Sequence, residues 1–147
     1  MRSHPLPTLA LILTLWFTLL AGILYLLTLQ NALKKCAPAS RTMEPWKVWL
    51  VAIPVFGLVW HFVVVTNIAK SLRNEFARLG IPCPESTPGQ TIGLAACACN
   101  CFIFVPLLGR FAAIVGFVLW IAYWIRIANY SRDLEKHQAI TPVSPIA

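Results

Sequence analysis

The chain has 147 residues, of which 59% are hydrophobic and 12% are charged, and its mean hydropathy is +0.73. Because a soluble domain carries about a quarter charged residues, this composition excludes an ordinary water-soluble domain and predicts an integral membrane protein. The net charge of +7 comes from small groups of Lys and Arg between apolar stretches, without a continuous basic stripe. Nucleic acid is therefore not an expected partner, and the lipid bilayer is.

Four apolar segments predict an all-α bundle of four transmembrane helices in a single membrane domain, with approximate bounds 8–29, 48–69, 91–108 and 111–127. The first is an uncharged run of 22 residues, which at about 1.5 Å per residue covers a hydrocarbon layer about 30 Å thick. The second contains Pro54 and Gly57, which predict a kink. Pro106 and Gly109 flank Arg110, which favours two short spans joined by a tight turn over one long helix.

Helices two and four are expected to extend beyond the bilayer, and residues 128–147 are expected to form a polar cytoplasmic tail. Beyond residue 69 the helical period continues, and Gly80 is placed to end it as a C-terminal cap. We expect this extension to contact a partner subunit through Leu72, Arg73, Phe76, Arg78 and Leu79.

The loop charges favour cytoplasmic termini. With both termini inside, seven basic residues face the cytoplasm and five face the outside, and the positive-inside rule prefers that orientation. The inside set is Arg2, Lys70, Arg73, Arg78, Arg126, Arg132 and Lys136, and the outside set is Lys34, Lys35, Arg41, Lys47 and Arg110.

No catalytic pattern stands out, so the protein is not expected to be an enzyme. The glycines form neither a G-x-G-x-x-G nor a phosphate-binding loop. The acidic residues lie outside the predicted spans, where they are expected to be solvated or salt-bridged at the surface: Glu44, Glu75, Glu85, Asp133 and Glu135.

His61 and a cysteine cluster are the candidate ligands of a metal or cofactor. Cys97 and Cys101 share one face of a helix, whereas Cys99 points away, and thiolates select soft metals such as Cu or Zn. His61 lies at a similar depth in its own span, so a site of His61, Cys97 and Cys101 is sterically conceivable. A haem or pigment held through His61 is a second possibility.

The same residues also fit a purely structural role, which we favour. A free cysteine packs as a small hydrophobe, and His61 can form a hydrogen bond between helices. Transport is a third alternative, but His61 is the only ionisable side chain well inside a predicted span.

Several short motifs between residues 30 and 132 form a recognisable set: RTMEPWKVWL at 41–50, Ile53-Pro54-x-Phe56, Trp60-x-Phe62, Ile68-Ala69, Ser71-Leu72, Pro88-Gly89, Gly93-Leu94, Pro106-x-x-Gly109 and Tyr130-Ser131. This set resembles a group of small multi-pass membrane proteins of unknown function that are common in Bacteroidetes. The sequence CACNC at 97–101 departs from the apolar residues expected there. The resemblance implies a bacterial inner-membrane protein and assigns no catalytic residue.

The leading hypothesis is therefore a non-catalytic accessory, assembly or structural subunit of a larger membrane complex. No cofactor is expected under this hypothesis, and the expected partners are other membrane protein subunits.

Overall fold

The fold comes from a computed structural model, which describes residues 5–83, 85–102, 105 and 108–140. These residues are all-helical and contain no strand, which confirms the predicted all-α class. The elements are α1 (Pro5–Lys35), a 3₁₀ helix (Pro45–Ala52), α2 (Phe56–Arg78), α3 (Gln90–Phe102) and α4 (Leu108–Ile140).

Two helices, not the four predicted, are long and apolar enough to cross a membrane: Pro7–Lys35 in α1 and Leu108–Ile140 in α4. Only 11% and 17% of their most apolar stretches are buried, whereas the core helix of a soluble protein would be mostly buried. The second predicted span is divided, because residues 53–55 interrupt the helix. The third is α3, whose 13 residues reach about 20 Å, less than the length that a span needs.

Helices α1, α2 and α4 run in the same direction. Between α1 and α2, the Tyr25 hydroxyl forms a hydrogen bond with His61. Between α1 and α4, the Thr28 hydroxyl accepts a hydrogen bond from Trp124, and further along both helices Lys35 forms a salt bridge with Glu135. The C-terminal ends of the three helices therefore meet, and we refer to this part of the molecule as the polar end.

Pro5 and Ile140 lie at opposite ends of the parallel helices, whereas two cytoplasmic termini are expected at the same end of the bundle. Residues 128–140 of the predicted polar tail continue α4 as a helix and bury Leu134. The rest of the predicted tail, 141–147, lies outside the described residues.

Residues 36–55 return from the polar end alongside α1 and α2. The Thr42 hydroxyl donates to the Asn67 carbonyl, and the Trp49 indole donates to the side chain of Gln30. The chain then reverses at a turn, and α2 runs back to the polar end. The predicted kink at Pro54 and Gly57 is thus a complete reversal of direction.

The reversal is a tight turn centred on Val55, whose φ is +65° and ψ is −56°. The Phe56 N–H donates to the Pro54 carbonyl at 2.7 Å, which closes a γ-turn of the strained form. Gly57 is required by the same turn, because a Cβ atom there would lie 2.0 Å from the Val51 carbonyl oxygen. We call Ile53–Phe56 the tip of this re-entrant segment.

Helices α3 and α4 form an antiparallel hairpin, as the break predicted around Pro106 and Gly109 requires. Gly93 near the start of α3 lies against Tyr123, and Cys99 near its end lies against Gly116. A Cβ atom on Gly93 would come within 2.5 Å of the Val65 side chain, so glycine is needed where α2, α3 and α4 meet.

The core occupies the half of the bundle next to the polar end. Its fully buried side chains include Leu29 and Leu33 of α1, Ile68 and Leu72 of α2, and Ile127 of α4. In the other half, every described side chain of α1 from position 7 to position 20 is exposed. The molecule thus has a packed half with a charged end and an apolar half in which most side chains of α1 are exposed.

Candidate functional site

His61 is buried in the packed half, at the end farthest from the polar end. Its Nε2 atom is 2.7 Å from the Tyr25 hydroxyl, in a hydrogen bond between α2 and α1. The two rings meet edge to face, with their centroids 5.8 Å apart. This contact has the geometry of the interhelical hydrogen bond expected for His61.

Tyr25 is also the centre of an aromatic cluster built with α4. The centroid of its ring lies 5.1 Å from that of Trp120, 6.0 Å from that of Trp124 and 6.4 Å from that of Tyr123. The Trp124 indole donates to the Thr28 hydroxyl of α1 at 2.9 Å. Stacked and edge-to-face pairs of this kind stabilise a helix interface beyond the area that they bury.

Tyr123 carries a buried polar group with no partner among the described residues. Its side chain is 1% exposed, and its hydroxyl makes no hydrogen bond there. Cys97, which is also 1% exposed, lies in the same core. A buried hydroxyl without a partner costs free energy, so Tyr123 is a weak point of the core.

The structure does not assemble His61, Cys97 and Cys101 into a metal site. Cys97 is buried, Cys101 is exposed, and Cys99 lies against Gly116 of α4. Within the described part of the chain, no group of three or more His, Cys, Asp or Glu side chains is placed to hold a metal ion. Because α3 is a continuous helix through Cys97, Cys99 and Cys101, Cys99 points away from the face of Cys97, as expected.

A groove of about 730 Å³ lies in the apolar half, bounded by α1, α3 and α4. Its lining is almost entirely apolar: Phe17, Thr18, Ala21, Gly22, Asn100, Ala113, Gly116, Phe117, Trp120, Ile121 and Trp124. It lies beside residues 17–22 of α1, and none of its lining residues comes from α2. Trp120 and Trp124 separate it from the Tyr25 and His61 pair.

Glu75 organises the polar end. Its carboxylate is completely buried and accepts hydrogen bonds from the Ala37 backbone N–H (3.0 Å), the Arg78 guanidinium (2.6 and 3.1 Å) and the Gln138 side chain (3.3 Å). Gln138 also donates to the Lys35 carbonyl. Glu75 thus ties the end of α1 and the extended part of α4 to α2, and the expectation that it lies at the surface is wrong.

Two opposing effects set the pKa of Glu75. Burial raises the pKa, but the hydrogen bonds from Arg78, Ala37 and Ser40, together with the charge of Arg78, outweigh burial and leave the pKa below the usual value of 4.5. The group is therefore a buried carboxylate whose charge is compensated on several sides.

Most of the face predicted to contact a partner lies inside the protein. Leu72 is 0% exposed, Phe76 is 2% exposed, and Leu79 packs partly buried against the core. Arg78 is engaged by Glu75, and Arg73 alone of the five is free at the surface. This apolar face is therefore occupied by α1 and α4 rather than offered to a partner.

Comparison with known protein families, curated proteins and solved structures gives no match to this chain. The resemblance to the Bacteroidetes group and the hypothesis of an accessory subunit therefore stay predictions.

Sequence reasoning missed Tyr25, the groove around Asn100, and the role of Glu75. The signal for Glu75 was present, because Glu75 lies three residues after Leu72 and four before Leu79, on the same helix face. No comparable sequence pattern identifies Tyr25 or the groove, because both depend on which residues of neighbouring helices lie at the same height in the bundle.

Proposed function

We propose that the protein is a non-catalytic accessory subunit embedded in a bacterial inner membrane, where α1 and α4 cross the bilayer and the tip is covered by another membrane protein. The observation that carries this proposal is the exposure of the residues that form the irregular turn at the tip. Ile53 and Phe56 are each 46% exposed there, and Val55 is 82% exposed.

The depth of the tip supports the proposal. Tyr25 and His61 lie side by side, and Phe56 precedes His61 by five residues, or about 8 Å of helix. The tip therefore lies near residue 20 of α1, close to the middle of the apolar run 8–29. If α1 crosses the bilayer, the tip reaches the centre of the hydrocarbon layer.

Irregular backbone at that depth is tolerated only where it is buried in protein or lines a water-filled cavity. The aromatic ring of Phe56, stacked on Trp60 at a centroid distance of 5.4 Å, offers an apolar contact beside the turn. A neighbouring membrane helix that packs over the tip would cover both the turn and the Phe56 ring. This requirement favours a subunit of a complex over a protein that is surrounded by lipid alone.

The charges favour an orientation that differs from the one expected from the sequence. Ten of the twelve Lys and Arg lie on segments that adjoin the polar end: Lys34, Lys35, Arg41, Lys47, Lys70, Arg73, Arg78, Arg126, Arg132 and Lys136. Arg2 and Arg110 precede or begin the apolar stretches of α1 and α4. Under the positive-inside rule the polar end faces the cytoplasm, and the N-terminus faces the other side.

Crosslinking from the tip tests the proposal. A photoreactive amino acid replaces Val55, and a control variant carries it at Val118, which is 59% exposed on the regular helix α4 at a similar depth. After irradiation of intact cells, we expect Val55 to give one discrete protein adduct and Val118 to give lipid adducts only. Mass spectrometry of the Val55 adduct then identifies the partner.

Two results would contradict the proposal. One is a Val55 variant that gives no protein adduct under conditions where Val118 reacts with lipid. The other is a protein that purifies in mild detergent as a monodisperse monomer without any co-purifying chain.

A further inference from the structure

We propose that the groove between α1, α3 and α4 binds a flat, uncharged, lipid-soluble molecule with a ring carbonyl, which is the chemistry of a prenylated quinone. This inference rests on the proposed embedding in a membrane but not on the proposed partner at the tip.

The size and position of the groove fit such a ligand. Its volume of about 730 Å³ lies within the range of about 300–1,000 Å³ that is usual for small-molecule sites. It lies beside residues 17–22 of α1, in the apolar half, and its edges carry the exposed rings of Phe17 and Phe117. A ligand dissolved in the hydrocarbon layer reaches it from the side without crossing water.

The shape of the lining favours a flat ring. Small residues line part of the groove on both long helices, and aromatic side chains line the rest. The ring centroids of Trp120 and Trp124 lie 5.3 Å apart at the end of the groove nearest Tyr25, and the ring of Phe117 lies beside that of Trp120. Aromatic faces pair with flat conjugated rings by stacking, which a flexible hydrocarbon chain cannot do. At Gly22, a Cβ atom would meet nothing within 4 Å, so the space there is open.

One polar side chain of the groove favours a ligand with a carbonyl group. Asn100 lines the groove from α3, and its side-chain amide makes no hydrogen bond to any other described residue. Asn100 is partly buried, and a carbonyl oxygen on the ligand would accept a hydrogen bond from its N–H group. No lining residue is charged, so the site has no counter-ion for a charged ligand.

Two other occupants fit less well. A saturated acyl chain offers the Asn100 amide no acceptor and the tryptophans no flat surface. A helix of a partner would need its own polar side chain at this one position. Both remain outcomes of the experiment below.

The test uses the full-length protein in lipid nanodiscs with decylubiquinone as the probe. Quenching of tryptophan fluorescence reports binding, because Trp120 and Trp124 line the groove. Gly22→Leu fills the groove, and Asn100→Leu removes the amide while keeping a similar volume. Ala10→Leu is the matched control, because it adds a leucine at an exposed position of the same helix that does not line the groove.

We expect saturable quenching in the wild type and in Ala10→Leu, and no saturable quenching in Gly22→Leu. The Asn100→Leu variant is expected to bind about tenfold more weakly, since a lost hydrogen bond to an otherwise unpaired group costs about 1–3 kcal/mol and 1.4 kcal/mol is tenfold. Circular dichroism checks that each variant keeps its helix content, and an unfolded Gly22→Leu is replaced by Ala113→Leu, which fills the opposite wall.

Equal quenching in all variants would mean that the probe only partitions into lipid, and this result would overturn the inference. A second measurement uses phosphatidylcholine with brominated acyl chains. If these lipids quench through the groove and excess decylubiquinone does not displace them, the groove holds an acyl chain and the inference is also wrong. Saturable binding by a protein that gives no Val55 adduct would support the inference and contradict the proposed function, so the two can fail separately.

Discussion

The hydroxyl of Tyr25 on α1 lies 2.7 Å from Nε2 of His61 on α2, and this buried hydrogen bond joins the two helices. A second tyrosine, Tyr123 on α4, lies in the same aromatic cluster with its hydroxyl unpaired among the described residues. The two tyrosines therefore occupy one environment but differ in whether the hydroxyl has a partner.

Removing these hydroxyls should have opposite effects on stability. Tyr25→Phe leaves the His61 nitrogen buried without its partner and should lower the free energy of unfolding by about 1–3 kcal/mol. Tyr123→Phe removes an unpaired buried hydroxyl and should be neutral or raise the free energy of unfolding by about 1 kcal/mol. Unfolding in mixed micelles of detergent and dodecyl sulfate, followed by circular dichroism, measures both. Equal losses in the two variants would show that the hydrogen bond between Tyr25 and His61 contributes nothing specific.

Gly57 tests the geometry of the turn at Val55, and Gly22, which lies on α1 away from that turn, serves as the control. In Gly57→Ala the new methyl group would lie 2.0 Å from the Val51 carbonyl oxygen, so the turn must move, at a cost of about 3 kcal/mol, the upper end of the cost of overpacking. In Gly22→Ala the methyl group meets nothing within 4 Å, and the helix should gain about 0.5–1 kcal/mol. The same unfolding assay compares the two substitutions. A harmless Gly57→Ala would contradict the close approach of the two segments at this turn.

The helical class of the fold follows from the sequence, but the number and direction of the helices do not. Apolar periodicity detects the segments 48–69 and 91–108, yet it does not say that a segment reverses at Pro54 or ends after 13 residues at Phe102. Pro54 and Gly57 mark the place of the reversal correctly. Its angle depends on contacts such as that of Trp49 with Gln30, which sequence spacing does not encode.

The candidate site was also predicted only in part, because the sequence does not give the direction in which neighbouring helices run. The depth of His61 could be estimated by counting residues along a helix, and a structural hydrogen bond was the favoured interpretation. Its partner Tyr25 was not foreseen, because the estimate assumed antiparallel neighbours, whereas α1 and α2 run in the same direction. The partner-facing role given to Leu72 and Phe76 failed because an apolar helix face alone does not tell which surface covers it.

Glu75 should dominate the pH dependence of stability. Glu75→Gln removes the buried carboxylate and should lower the free energy of unfolding by about 1–3 kcal/mol, since the hydrogen bonds to a charged group are lost while Arg78, 36% exposed, stays partly solvated. Glu135→Gln is the matched control, because Glu135 also forms a salt bridge but is 66% exposed, and its loss should cost less than about 1 kcal/mol.

The direction of the pH effect follows from the pKa of Glu75. Because that pKa is lowered in the folded protein, the folded state binds a proton more weakly than the unfolded state does. The stabilisation is therefore present above pH 4.5, the usual pKa, and is lost as the pH falls through the lower pKa of the folded state. We expect the wild type to lose stability more steeply than Glu75→Gln between pH 5 and pH 3, with Glu135→Gln following the wild type. Parallel pH profiles for the wild type and Glu75→Gln would show that folding does not lower the pKa of this carboxyl group.

The parallel course of α1 and α4 makes a final prediction about orientation in the membrane. Since the salt bridge between Lys35 and Glu135 joins their C-terminal ends, the N-terminus and the end of α4 should lie on opposite sides of the membrane. Under the positive-inside rule, we expect the basic residues of the polar end to keep that end in the cytoplasm. In intact spheroplasts, an added protease should therefore remove an epitope tag at the N-terminus and leave a C-terminal tag intact, and a green fluorescent protein fused to the C-terminus should fluoresce. Lysed spheroplasts are the control, because both tags should then be cut. If both tags are protected until lysis, the two ends lie on the same side, so α1 does not cross the bilayer alongside α4 and the tip does not reach the centre of the hydrocarbon layer. If only the C-terminal tag is removed before lysis, the predicted orientation is wrong.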